Sequence, residues 1–312
     1  MARSTSSPLA APGTAVHAVP ERSLALHLLL ALRPAQWIKN LVIFAGLLFG
    51  KRLFDAAAVA DAVSAFAVFC VLSGVVYLVN DIADRESDRL HPLKARRSIA
   101  SGALPVAIAA RAALVLGTLG LVAAYFIGPA FAAVAAAYVL LQILYSGPLK
   151  HIVIIDVLTI AIGFVLRAAG GAVAVHVQIG HWLLVCTILL ALFIGLAKRR
   201  HEIVLLAASA TSHRPILGEY SAYLLDQMIG VVTASTLIAY VFYTISPETQ
   251  AKFGTPWLEL TIPFPLYGIF RYLYLVHRRD GGGSPADLLL TDRPLLTCVA
   301  LWALAVVLII YS

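Results

Sequence analysis

The sequence predicts an all-α fold, a polytopic membrane bundle of nine transmembrane helices, and three observations carry that prediction. Of the 312 residues, 61% are hydrophobic and only 12% charged, and the mean hydropathy is +0.91, which excludes an ordinary soluble domain. The apolar residues gather into runs of roughly 20, the length a helix needs to span the hydrocarbon core. Lys and Arg alternate between dense and sparse in successive connections, as they do in a chain threaded back and forth across a bilayer.

In chain order, the first run, 24–50, is interrupted by Arg33, Pro34, Lys39 and Asn40. The second, 59–80, is clean and ends on Asn80. The third, 105–126, carries Arg111 only a turn or two inside, where a long side chain can snorkel to the interface. The fourth, 129–145, is short and is set off by the turn Ile127-Gly128-Pro129. The fifth, 152–175, contains Arg167, and the sixth, 180–197, stops at Lys198-Arg199-Arg200-His201-Glu202. The remaining three lie near 226–246, 258–277 and 294–311. Residues 24–312 therefore form one transmembrane domain, and 1–23, rich in Ser, Ala and Pro, read as a disordered cytoplasmic tail. The first apolar run leads into a charged, aromatic stretch, so no cleavable signal peptide is convincing.

Basic residues set the orientation. One face collects Arg3, Arg22, Arg33, Lys39, Arg85 to Arg97, Lys150, Lys198 to Arg200, Arg214, Arg271, Arg278, Arg279 and Arg293. The other holds only Lys51, Arg52 and Lys252. Since Lys and Arg accumulate on the cytoplasmic side, a nine-helix path through the cell membrane with the N-terminus inside satisfies every connection. The longest connections, 81–104, 198–225 and 278–293, share that face, which marks it as the working one. The net charge of +7 thus sits in membrane-flanking loops, where it suits anionic headgroups and phosphorylated substrates rather than nucleic acid. Cys70, Cys186 and Cys298 lie in apolar runs without CxxC spacing and read as small core residues.

The chemistry concentrates in Asn80-Asp81-Ile82-Ala83-Asp84-Arg85-Glu86-Ser87-Asp88. If helical, this stretch puts Asp81, Asp84 and Asp88 on one face. Clustered carboxylates repel one another unless a cation sits among them, and hard oxygen ligands of this kind suit Mg²⁺, which takes its remaining ligands from water and substrate phosphates. Asn80 adds a neutral oxygen. The cations that follow, Arg85, Arg89, Lys94, Arg96 and Arg97 with His91, suit a metal and phosphates held together, where a merely solvated helix end would not need them. Lys39, deep in an apolar run, calls for an anionic partner, either a phosphate or, as an interfacial anchor beside Trp37, a headgroup. Lys150 and Asp156 flank the start of the fifth run, and Lys198, Arg199 and Glu202 end the sixth. Arg167 lies eleven residues beyond Asp156, roughly 16 Å deeper at 1.5 Å per residue. It binds an anion there or is tied to backbone carbonyls near Gly163, Gly170 and Gly171, which permit close helix packing.

The acidic motif at 80–88, Arg33-Pro34-x-x-Trp37-x-Lys39-Asn40 on the first helix and the nine-helix plan resemble the UbiA superfamily of intramembrane prenyltransferases, over about residues 24 to 312. Within it the chain is most similar to members that transfer a phosphoribosyl group to a polyprenyl phosphate. The supporting segments are His91-Pro92-x-Lys94-x-Arg96-x-x-Ile99-Ala100-x-Gly102, Leu149-Lys150-His151, Leu166-Arg167-Ala168, Lys198-Arg199-x-x-Glu202, Glu219-Tyr220, Asp287 and Asp292-Arg293. Members that use a prenyl diphosphate have a second aspartate-rich motif after helix 6. Here that place reads Lys198-Arg199-Arg200-His201-Glu202.

The resemblance implies phosphoribosyl diphosphate as donor, polyprenyl phosphate as acceptor and Mg²⁺ as cofactor. It assigns Asn80, Asp81, Asp84 and Asp88 to the metal, with Asp81, Asp84 and Lys39 central to catalysis. Lys39, Asn80, Lys94, Arg97, Lys150, Arg167, Lys198 and Arg199 are the substrate-binding candidates. The ionised acceptor needs no strong base, so His91, His151 and His201 are expected to be hydrogen-bonding or loop residues. Beyond the bilayer and the two substrates, a homo-oligomer is compatible with the sequence. An aromatic prenyltransferase of the same superfamily is the alternative, and a secondary transporter fits less well because the acids lie at the membrane edge rather than its midplane.

Overall fold

The computed structural model describes residues 23–90, 94–178, 180–207, 218–278 and 285–312. The expected tail apart from Ser23, and with it His91, Arg214 and Arg279, lies outside the described residues, as does the side chain of Asp287. Every described element is helical.

The chain enters through α1 (Leu24–Ala31), whose first turn is capped by the Ser23 hydroxyl accepting from the Leu26 amide at 3.3 Å. Pro34 disfavours helical geometry at the residue before it, and Arg33 takes a left-handed φ of 53°. The path bends by 43° and continues as a 3-10 stretch, Pro34–Phe44, and a short α2 (Ala45–Phe49). Asp55 caps α3 (Ala56–Ala83) by accepting from the amides of Ala57 and Ala58. A break at Asp84 separates α3 from α4 (Arg85–Arg89), and a 3-10 turn at Lys94–Arg96 follows. Next come α5 (Val106–Ile127), α6 (Pro129–Ser146), α7 (Ile155–Ala174) and α8 (His181–Ala207). The chain ends with α9 (Ala222–Ile245), α10 (Pro247–Phe253), α11 (Pro263–Arg278), α12 (Pro285–Thr291) and α13 (Arg293–Tyr311).

Two expectations change. Among the described residues seven helices are long and apolar enough to cross a membrane, eight if the bent first pair is one span, not nine. The run at 258–277 is divided between a 3-10 turn, Trp257–Thr261, and the 16-residue α11, at Pro263, which has no amide hydrogen to continue the preceding turn and opens a new helix instead. The sixth span also does not stop at 197. α8 carries on through Lys198 to Glu202 as far as Ala207, since the run 198–207 holds no Gly or Pro to end it. His201 is therefore a buried helical residue rather than a loop residue.

α3 and α7 form the interior. In each, 56% of the most apolar stretch is buried, against 17% in α5 and α6, which face outward. Lipid tails are as apolar as Leu, so helices in a bilayer associate by close packing and polar ties rather than by hydrophobic burial. The bent first span shows the packing. A Cβ on Gly171 of α7 would lie 2.0 Å from the Ile43 carbonyl oxygen, and one on Gly46 2.7 Å from the Ala172 backbone. Only glycine allows these backbones to touch, and the touch sets Asn40 against Arg167. At the far end of the bundle Lys51 Nζ donates to the Phe253 carbonyl at 3.0 Å, so the sparse basic residues of that face do lie together.

Candidate active site

The acidic-motif end is built from the finish of α3, α4 and the turn after it, the turn between α6 and α7, and the last third of α8. Asp81 is on the last turn of α3, 4% exposed, and accepts from Arg33 Nη2 at 2.6 Å and Arg97 Nη1 at 3.1 Å. The left-handed turn at Arg33 aims its guanidinium here, and the same group lies 4.7 Å over the ring of Tyr77, one helical turn before Asp81. Asp88, 2% exposed, accepts from the same Arg97 nitrogen at 2.6 Å, with Lys94 at 3.9 Å. Asp84 turns to the other side, where Lys150 Nζ meets it at 2.9 Å.

The donor chemistry fits a hard divalent cation. Asp81 and Asp88 converge on a single positive centre, one nitrogen of Arg97, while Asp84 and Asn80 are within a turn of them. As the side chains stand, no three acids, His or Cys among the described residues surround one point, so a cation held by all three aspartates needs Arg97 to move aside.

Deeper in the bundle, Arg167 is 5% exposed. Its Nε donates to Asn40 Oδ1 at 2.8 Å, Nη1 to the Gly163 carbonyl at 3.0 Å and Nη2 to the Tyr138 hydroxyl at 2.7 Å. Its guanidinium lies 4.6 Å over the Tyr138 ring. Asn40 passes the tie on to Cys70 and Ser73 of α3. Cys70, Ser73, Tyr77 and Asp81 are three or four residues apart, and along α3 they form one polar stripe from the middle of the bundle to the acidic end.

A second polar cluster braces the wall. Asp156, fully buried, accepts from Arg199 Nε at 2.8 Å and from the Tyr220 hydroxyl at 2.8 Å. Arg199, 3% exposed, also donates to Glu202 at 2.7 Å and to the Tyr145 hydroxyl at 3.3 Å. Burial above all pushes the Tyr220 hydroxyl up to about 12, so it stays protonated. Arg199 was expected at a phosphate. The structure instead engages it with two carboxylates and a phenol, leaving Lys198, 46% exposed and 4.0 Å from Glu202, as the accessible cation of that turn. Lys39 is half-buried on the Pro34–Phe44 stretch.

Of the expected residues, the structure brings Asp81, Asp88, Lys94 and Arg97 into one network, pairs Asp84 with Lys150 beside it, and puts Arg167 below. Sequence reasoning missed Arg33, Tyr77, Tyr138 and Tyr220 as site-forming groups. The four-residue spacing from Tyr77 to Asp81 was the available signal for one of them. Nothing local in the sequence marked Tyr138.

The sequence matches the UbiA prenyltransferase family over residues 40–291. It is 32% identical over 297 residues to the decaprenyl-phosphate phosphoribosyltransferase of Corynebacterium glutamicum, covering 94% of this chain and 89% of that protein. To the protein of the same name from Mycolicibacterium smegmatis it is 33% identical over 296 residues, covering 91% and 92%. A UbiA homolog from Archaeoglobus fulgidus, solved bound to GPP and Mg²⁺, superposes with a TM-score of 0.69 at 19% identity, covering 93% of this chain and all of the other. At that identity the likeness establishes the fold.

Proposed function

Because the chain belongs to the UbiA prenyltransferase family, a family of multi-pass membrane proteins, we propose that it transfers the 5-phosphoribosyl group of phosphoribosyl diphosphate to a polyprenyl phosphate. A phosphate oxygen of the lipid attacks ribose C1, the bond from C1 to the diphosphate oxygen breaks, and pyrophosphate leaves. The observation that carries this reading is the ratio of charges at the site. One acidic motif stands among Arg33, Lys94, Arg97, Lys150 and Lys198, enough cations for a donor with a diphosphate at one end and a phosphate at the other. The two curated relatives carry the name of this activity.

Asn80, Asp81, Asp84 and Asp88 would hold Mg²⁺, which when bound neutralises charge developing on the leaving pyrophosphate. Arg97 and Lys150, released from the carboxylates they now pair with, bind donor phosphate oxygens, and Lys39, Lys94 and Lys198 complete the anion-binding surface. Arg167 acts through its field. Its hydrogen bonds go to neutral groups, so its positive charge stays uncancelled below the acids and favours an anion above it. Arg199 positions Glu202 and Lys198 rather than binding phosphate. Alignment of the two anionic substrates does most of the rest, at a transition state with oxocarbenium character.

By the positive-inside bias the tail 1–23 and this end of the domain 24–312 are cytoplasmic, with the run 258–277 as a ninth, broken crossing. Membranes containing the protein, given Mg²⁺, polyprenyl phosphate and radiolabelled phosphoribosyl diphosphate, are expected to move label into the lipid extract. The transfer stops when the lipid phosphate is omitted. No transfer, with a prenyl diphosphate and an aromatic acid reacting instead, moves the assignment to an aromatic prenyltransferase.

A further inference from the structure

Lys150 reaches Asp84 from a turn whose last link is strained. Between the 3-10 turn Leu149–His151 and α7, Ile154 adopts φ 70° and ψ −44°, a region that β-branched residues almost never enter. Such a conformation persists only where its surroundings hold it. The Ile154 side chain is 47% exposed, so packing does not hold it. Backbone hydrogen bonds on both sides do: its carbonyl accepts from the amides of Val157 and Leu158 in the first turn of α7, and its amide, the group facing away from that helix, donates to the Tyr220 hydroxyl at 2.6 Å. That same hydroxyl donates to Asp156 Oδ1 at 2.8 Å, and Asp156 in turn fixes Arg199 of α8. Tyr220 is 5% exposed and stands just before α9, so one buried hydroxyl ties α9, the Lys150 turn, the start of α7 and the Lys198 to Glu202 turn of α8.

We propose that the Tyr220 hydroxyl is a positioning group for the donor half of the site, holding Ile154 left-handed so that Lys150 meets Asp84, and holding Asp156 so that Arg199 keeps Glu202 beside Lys198. For its kinetic readout this rests on the function proposed above. Tyr220→Phe keeps the ring and removes both hydrogen bonds. Through the lost bond to Ile154, the one that sets the Lys150 turn, it is expected to raise KM for phosphoribosyl diphosphate about tenfold, the scale of one buried hydrogen bond, with KM for polyprenyl phosphate changed less than about twofold. Amide exchange in a peptide spanning 149–157 speeds up. Glycine enters the left-handed region without strain, so Ile154→Gly alone stays near wild type, and Ile154→Gly added to Tyr220→Phe brings the donor KM back to within about threefold. A merely structural role predicts neither the split between the two KM values nor the rescue.

An unchanged donor KM and unchanged exchange in Tyr220→Phe overturn the proposal, and so does a double variant no better than the single one. If Tyr220→Phe fails to accumulate in membranes, the same rescue is read on yield: recovery with Ile154→Gly supports the latch, and its absence overturns it. Should wild-type protein not turn over phosphoribosyl diphosphate, the functional reading fails, while exchange at Ile154 still decides the latch.

Discussion

The Asp156–Arg199 pair should show strong energetic coupling. Asp156 is fully buried and accepts two hydrogen bonds of 2.8 Å. Asp156→Leu removes its charge and leaves Arg199, 3% exposed, with Glu202 at 2.7 Å and Tyr145. Breaking a buried ion pair costs roughly 3 to 5 kcal/mol, and because Glu202 still neutralises Arg199 the lower end applies, about 3 kcal/mol. At about 2 to 4 °C per kcal/mol for large domains, the thermal midpoint in detergent should fall by roughly 6 to 12 °C. Arg199→Met is the harsher change, about 4 kcal/mol, since it leaves a fully buried carboxylate with Tyr220 alone. The double variant replaces the pair with apolar groups and should cost about 2 to 4 kcal/mol less than the sum. Thermal unfolding of the four proteins closes the cycle. Additivity within about 0.5 kcal/mol would refute the reasoning, because it would mean that the two groups do not depend on each other.

Other outcomes follow from the same contacts. Asp81→Ala should abolish turnover and its Mg²⁺ dependence, whereas His201→Ala should keep most activity, and a fully active Asp81→Ala enzyme would sink the metal assignment. Arg97→Ala, which removes the nitrogen shared by Asp81 and Asp88, should raise KM for phosphoribosyl diphosphate about tenfold or more, with the lipid phosphate KM little changed. Gly171→Ala should destabilise by about 1 to 3 kcal/mol or more, because its Cβ would meet the Ile43 carbonyl at 2.0 Å. Gly163→Ala, whose nearest atom is 3.4 Å away, should stay within about 0.5 kcal/mol, and equal effects in thermal unfolding would refute the packing argument. The Tyr220 hydroxyl, pushed up to about 12 by burial, lies above its ordinary value of about 10. Its stabilisation is therefore complete below pH 10 and lost as pH rises through 12, and the gap in stability between wild type and Tyr220→Phe should shrink over that window alone.

Most helices were legible because a membrane span needs one long apolar run and a cap. α3, α5, α6, α7, α9 and α13 lie within a few residues of the runs that announce them. Where the structure departs from the apolar runs, breakers within the run and partners far along the chain both decide. The basic stretch Lys198 to Glu202 resembles a loop by charge, but nothing in it breaks the helix, and Arg199 finds a buried partner in Asp156 across the bundle. Run 258–277 has the hydropathy of a span, and the structure divides it at Pro263. At the site the acids were legible by spacing and composition. Their partners were not, since Arg33 is 48 residues from Asp81 and Lys150 is 66 from Asp84, separations that only the tertiary fold closes.

The two buried arginines show how this bundle uses charge in a medium that resists it. Arg199 is cancelled by Asp156 and Glu202, and its hydrogen bonds fix geometry while its field does not extend far. Arg167 is equally buried, but its hydrogen bonds go to an amide, a carbonyl and a phenol, with ring faces beside it. Its geometry is fixed while its charge remains whole. Substituting Arg167 by Met should therefore do two separable things. It removes ties between α7, α6 and the bent first span, which lowers thermal stability, and it removes a positive potential beneath the acidic end, which weakens anion binding. Arg167→Lys restores the charge but not the planar fork of donors. It should regain substrate affinity more fully than it regains stability. Equal recovery of both would mean that Arg167 acts only as a brace.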